Sequence, residues 1–169
     1  MRRQTLHGDH TYAHWEQVLG ERWHYSTKGF PPGRTRRWDH GLLRELIELL
    51  CSVVGEADID WTGRTQVSIR PRGLSRAWAF VRTKSPEHLE LKLVGRAGQF
   101  NLAQLDRLGV DHDLESSKTY DAIRLRCCRS EELAGSALAG LLREHYRGFR
   151  EAFGARRARH SLQSSTVST

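Results

Sequence analysis

Three stretches of the chain bring histidine, carboxylate or glycine residues to spacings at which they could act together. His7, His10 and His14 lie three and four residues apart, which on a helix would align their imidazoles for a metal ion. Gly8 opposes a helix there, so the stretch reads better as a polar, mobile N-terminus, and no metal or cofactor is assigned. Asp111-His112-Asp113 has the composition of an acid–base or metal trio, but it has no partners at ligand spacing elsewhere and reads as a solvated turn. Gly95 and Gly98 sit in a turn, yet a phosphate-cradling loop needs more glycines at fixed offsets, and the P-loop also a lysine. No nucleophile, acid and base stand at a defined spacing, so no catalytic residue is named.

Cations and aromatic rings carry more. From Gly20 to Asp39 they interleave around Pro31-Pro32-Gly33, with Lys28, Arg34, Arg36 and Arg37 as the cations. The double proline forces extended or turning backbone, which makes this an ordered loop or a short edge strand. The cations suit phosphates, and Phe30 or Trp38 is a candidate stacking plane. The competing reading, favoured because large aromatics are usually buried, is that both rings pin the loop to the core. A second set, Arg70, Lys92, Arg124 and Arg126, falls on predicted strands in one outward phase, alongside Gln66, Ser68 and Glu90. An antiparallel sheet could gather it into a polar, mostly basic patch for a phosphate backbone.

The whole composition leans the same way. The formal net charge is +7 and the pI about 9.8, which favours an anionic partner, although Arg2, Arg3 and Arg156, Arg157 and Arg159 in the tails supply much of the excess. No run reaches the roughly 18 apolar residues of a membrane span, and MRRQTLHGDH lacks a signal-peptide core. A cytoplasmic location with no membrane partner is therefore expected. Cys51, Cys127 and Cys128 make no disulfide framework, since the adjacent pair points to opposite faces of a strand.

The elements that position these residues centre on Arg76–Val94. Trp78, Phe80 and Arg82 share one face of a first alternating run, and Leu89, Leu91 and Leu93 one face of a second. Lys84-Ser85-Pro86-Glu87 suits the hairpin between them. Ala57–Trp61, Thr65–Arg70 and Tyr120–Cys127 read as further strands. Tyr12–Leu19 and Asn101–Leu108 read as short helices, and Val110–Lys118 as an acidic surface loop. Asp39 is the expected cap of a helix running to about Val54, with Leu43, Leu46, Ile47, Leu50 and Val54 as its apolar stripe. Ser130 is the expected cap of a last helix carrying Leu138, Leu141, Leu142, His145, Tyr146, Phe149 and Phe153, with His145 at the edge of the core.

Two stretches carry a resemblance. GERWHYSTKGFPPGR (Gly20–Arg34) resembles a motif in an uncharacterised accessory domain associated, in some bacteria, with the damage-recognition ATPase of nucleotide excision repair, the excinuclease A subunit. The blocks RAWAFVRTKSPEHLELKLVGRAGQF and LDRLG, then a strand leading into the terminal helix, extend the likeness over roughly Trp15 to Tyr146. The plan is also similar to the double-wing class of small α+β domains. The ATPase's phosphate loops, signature motif and zinc-binding cysteines are missing, so the likeness is to the accessory domain standing alone. Where the family's second strand carries an Asn- and Gln-rich run, this chain has TGRTQVSI, with Gln66 the remaining amide.

The expected architecture is α+β: an antiparallel sheet of about five strands with two long helices packed on one face. It forms a single domain over residues 12–153, between a flexible N-terminus at 1–11 and a disordered basic, then Ser/Thr-rich, tail at 154–169. The expected function is a non-catalytic nucleic-acid-binding accessory domain linked to DNA excision repair. The alternative is a protein-interaction module that docks on a repair ATPase through Lys28–Trp38.

Overall fold

In a computed structural model the structure describes residues 20–26, 30 and 32–163, with side chains as far as Phe153 apart from that of Leu102. Six strands form: β1 (Ala57–Asp60), β2 (Gln66–Pro71), β3 (Ala79–Arg82), β4 (Leu89–Arg96), β5 (Asp111–Ser116) and β6 (Tyr120–Cys127). They make one sheet in the order β1-β2-β3-β4-β6-β5, with every neighbouring pair antiparallel. The helices are α1 (Gly20–Tyr25), α2 (Leu42–Val54), α3 (Leu102–Leu105) and α4 (Ser136–Gln163), and a 3-10 turn spans Ser130–Glu132. The histidines at 7, 10 and 14, the helix expected at Tyr12–Leu19 and Lys28 lie outside the described residues.

Alternation decides the faces. Val67 and Ile69 on β2 stand opposite Val81 and Ala79 on β3, which in turn face Leu91 and Leu93 on β4, and those face Leu125 and Ile123 on β6. All eight are fully buried. This apolar face receives α2 through Leu42, Leu43, Leu46, Ile47 and Leu50, and α4 through Leu138, Leu141, Leu142 and Phe149. Burying each such side chain contributes about 1.5–3 kcal/mol, which is what fastens the two long helices to one face. Trp78 is buried with them although it is in phase with the outward Phe80, because a bend just before β3 turns its indole towards α4.

Several local expectations shift. The sheet has six strands where the sequence suggests about five, and the addition is β5, within the stretch read as an acidic loop. Its charged residues have little strand preference of their own, and pairing along β6 supplies what propensity does not. α2 begins at Leu42 after Gly41 and not at Asp39, whose carboxylate instead accepts the Gly41 N–H at 3.2 Å. Ser130 opens the 3-10 turn, where Glu132 accepts the Cys128 and Arg129 N–H groups, and α4 starts six residues later. α4 then runs past Gly154 to Gln163, beyond the expected boundary at 153. One helical glycine costs about 1 kcal/mol, and the alanines and arginines around it favour helix.

Candidate nucleic-acid interface

The sheet face turned away from α2 and α4 gathers Arg70, Lys92, Arg124 and Arg126 as their shared phase requires, with acids beside them. Arg70 pairs with Asp58 at 3.1 Å, Arg124 with Glu115 at 2.7 Å, and Arg126 with Asp111 at 3.0 Å and also with Asp113. Hydrogen bonds to Asp111 and then Asp113 raise the Arg126 pKa above its ordinary value. Arg82 pairs with the largely buried Glu90 at 3.3 Å. Short of the last β4–β6 rung, five cations (Arg70, Arg82, Lys92, Arg124, Arg126) face six carboxylates (Asp58, Asp60, Glu90, Asp111, Asp113, Glu115). The face expected to be mostly basic is therefore charge-balanced, because β1 and β5 bring acids to the arginines. Lys92, between Phe80 and Arg124, has no ion pair among the described residues.

The aromatic loop is fastened down. Trp38 is 3% exposed, its indole donates to Ser85 O at 3.0 Å, and Arg36 lies 4.4 Å over its ring while donating to Tyr25 O at 3.2 Å. Phe30 is 9% exposed. The Arg37 N–H donates to Pro86 O at 2.6 Å, and Arg34 and Arg37 share the Glu87 carboxylate at 3.0 and 2.9 Å. These are the contacts of rings that anchor a loop to the β3–β4 turn. Beneath them Lys84 donates to Trp23 O and Ser26 O and lies 4.8 Å from the centre of the Trp23 ring. Burial, and then Arg36, lowers the Lys84 pKa to about 8. His24 is fully buried, with Nδ1 2.6 Å from Thr83 Oγ1 and Nε2 3.1 Å from Trp61 O. The carbonyl can only accept, so Nε2 carries the proton and Nδ1 accepts from the hydroxyl.

Besides Lys92, other cations have no ion pair among the described residues, and several of them gather at one end of the fold. Where α4 passes the end of β4 and β6, a cleft of about 320 Å³ opens between Phe149 and Phe153 on the helix and Arg96 and Tyr120 on the strands, with Thr119 in the turn before β6 and Arg76 at its side. No carboxylate among the described residues lines it. Arg96 and Tyr120 are opposite partners on the last β4–β6 rung, and Arg76 lies 5.1 Å over the Phe153 ring. Tyr120 is the one exposed large hydrophobic among the described residues, at 41%. It is also firmly held: Ser117 N–H and Oγ–H both donate to Tyr120 O at 2.9 Å, and Tyr120 N–H donates to Ser117 Oγ at 3.1 Å. Arg143, Arg147 and Arg150 follow four- and three-residue spacing on α4, all exposed and without ion pairs among the described residues. Arg156, Arg157 and Arg159 continue the same helix in sequence.

Gln99 forms the inner wall. Its Oε1 accepts the Arg96 N–H at 2.9 Å, and its amide lies in a slot made by two glycines. A Cβ on Gly95 would come within 2.2 Å of Gln99 Oε1, and one on Gly148 within 3.0 Å of its Nε2. Beyond this wall lies a second hollow of about 310 Å³ that shares Arg96, Gln99 and Gly148 and adds Arg147, Glu144 and Glu151. His145 reaches the floor of this second hollow, 2% exposed and stacked on Phe100 with ring centres 5.3 Å apart. It is therefore a core residue and not an edge one.

Arg76, Arg96, Arg147 and Tyr120 were not singled out from the sequence as site residues. The signal available was negative: none of these arginines faces an acid across a strand rung, which becomes visible only once register is known. Among the described residues no three His, Cys, Asp or Glu side chains are grouped to hold a metal ion, and no helix is long and apolar enough to cross a membrane. Asp111 and Asp113 are committed to Arg126, and His112 Nδ1 lies 3.0 Å from Val110 O. No family model, curated protein or solved structure matches the chain, so the link to the excinuclease A subunit rests on the sequence motif alone.

Proposed function

We propose that the protein is a non-catalytic nucleic-acid-binding domain that engages the phosphate backbone with the end of the fold built by α4 and the last β4–β6 rung. The observation that carries this reading is the distribution of charge compensation. Arginines on the open sheet face are held by acids, whereas Arg76, Arg96, Arg143, Arg147 and Arg150 have no ion pair among the described residues. Guanidinium groups without ion pairs along one helix and an adjoining strand end release counterions when they meet phosphates, which gives affinity without sequence preference. A role beside the excision-repair ATPase extends this reading through the Gly20–Arg34 motif.

The test compares two sets of variants by fluorescence anisotropy on labelled DNA over a range of salt. Arg96→Ala and Arg147→Ala are each expected to lower the slope of log affinity against log salt by about 0.7–0.9, while Arg124→Ala and Arg126→Ala leave it nearly unchanged. Loss of slope in the second pair alone would move the interface back to the sheet.

A second reading keeps one observation of its own. Arg34 and Arg37 share a single carboxylate and remain 60% and 71% exposed, so the loop retains one excess positive charge for an acidic protein surface, such as one on a repair ATPase. Recovery of a single partner after nuclease treatment, lost on Arg34→Glu, would favour docking.

A further inference from the structure

The cleft at the last β4–β6 rung differs from the rest of the cationic surface, because it sets a presented aromatic ring and an apolar floor among arginines. We infer that it takes one unstacked base of a single-stranded nucleic acid, with Tyr120 as the stacking plane and Arg76 and Arg96 on the flanking phosphates. The inference rests on the nucleic-acid reading above and narrows it to unpaired strands.

The geometry fits that occupant in three ways. Tyr120 is the exposed large hydrophobic of the described surface, and its backbone is held on both N–H and C=O by Ser117, so the segment that carries the ring needs little ordering on binding. Phe149 and Phe153 supply apolar walls, and the absence of carboxylates among the described lining residues leaves Arg76 and Arg96 without an acid at the rim for a backbone passing it. An acidic peptide would be served by the arginines alone and would leave the ring unused. A duplex could meet the arginines, but its stacked bases would not reach Tyr120. Base–aromatic stacking tolerates any sequence because every base has a π-face. A preference for unpaired strands over a particular sequence follows.

The test uses the full chain and labelled oligo-dT and oligo-U strands of about 12 nucleotides, within the site sizes such surfaces accept. A duplex of the same length and a polyglutamate peptide are the comparisons. Tyr120→Ala is expected to weaken both single strands about tenfold or more, with the salt slope and the duplex affinity unchanged, and Tyr120→Phe to restore binding. Because Tyr120 is exposed, its replacement leaves the core intact, and a thermal melt of each variant verifies this. Equal loss on oligo-dT and oligo-U places recognition in the shared base and phosphate, and loss on one alone assigns the site to that nucleic acid. If Tyr120→Ala binds single strands as the parent does while Arg96→Ala weakens every probe, the base site is overturned and phosphate binding stands. Polyglutamate binding as tight as oligo-dT, or no binding of any nucleic acid at low salt, overturns both readings.

Discussion

Nε1 of Trp78 donates to Nδ1 of His145 across 2.7 Å, joining the bend before β3 to the middle of α4. An indole N–H can only donate, so Nδ1 must be the unprotonated nitrogen, and Nε2 carries the hydrogen that meets Val94 O at 3.1 Å. Both imidazole nitrogens are satisfied with the ring neutral. A second proton would have to displace the indole inside the core.

That arrangement predicts an acid-sensitive stability. Burial lowers the His145 pKa to about 4, against about 6.5 for an exposed histidine. The unfolded chain therefore binds more protons in this window, so the contribution is full above about pH 6.5 and is lost as the pH falls towards 4. One such proton gives a slope of up to about 1.4 kcal/mol per pH unit, and His24, also lowered chiefly by burial, adds in the same direction. Urea unfolding of the parent and of His145→Phe at pH 4.5, 5.5 and 6.5 measures it. The variant is expected to be less stable at every pH but to show a flatter slope, and parallel slopes would contradict the buried neutral imidazole.

The glycine slot around Gln99 predicts a coupled pair. Gly95→Ala drives a methyl into the Gln99 amide and is expected to cost about 1–3 kcal/mol, the range for overpacking. In a Gln99→Ala background the same change should cost less than about 1 kcal/mol, since the clashing atoms are gone. A double-mutant cycle by denaturant midpoint reads the difference. Equal costs in the two backgrounds would mean that the slot does not confine Gln99.

The attachment of α4 predicts a large core effect. Leu141 is 3% exposed in the cluster shared with the sheet, and Leu141→Ala is expected to cost about 2–5 kcal/mol. A change below about 0.5 kcal/mol in the midpoint-derived stability would place this side of the helix in solvent.

Local periodicity by itself determined the class of this fold. Period two in β2, β4 and β6 and the three- and four-residue stripes of α2 and α4 mark which residues are buried, because each pattern is set by the geometry of a single element. The arginine set on the open face was legible for the same reason: Lys92 stands opposite Arg124 and Glu90 opposite Arg126, as their shared phase demands. Its charge was not legible. β5 reads as loop from its own sequence and becomes a strand only against β6, and that pairing sets Asp111 opposite Arg126 and Asp113 opposite Arg124. The same register, with the overhang of α4, brings Arg96, Tyr120 and Phe153 to one cleft from positions far apart in sequence. Tertiary structure decided which cations the proposed interface can use, because a cation's availability depends on which carboxylate is folded within reach of it, and strand register sets that distance.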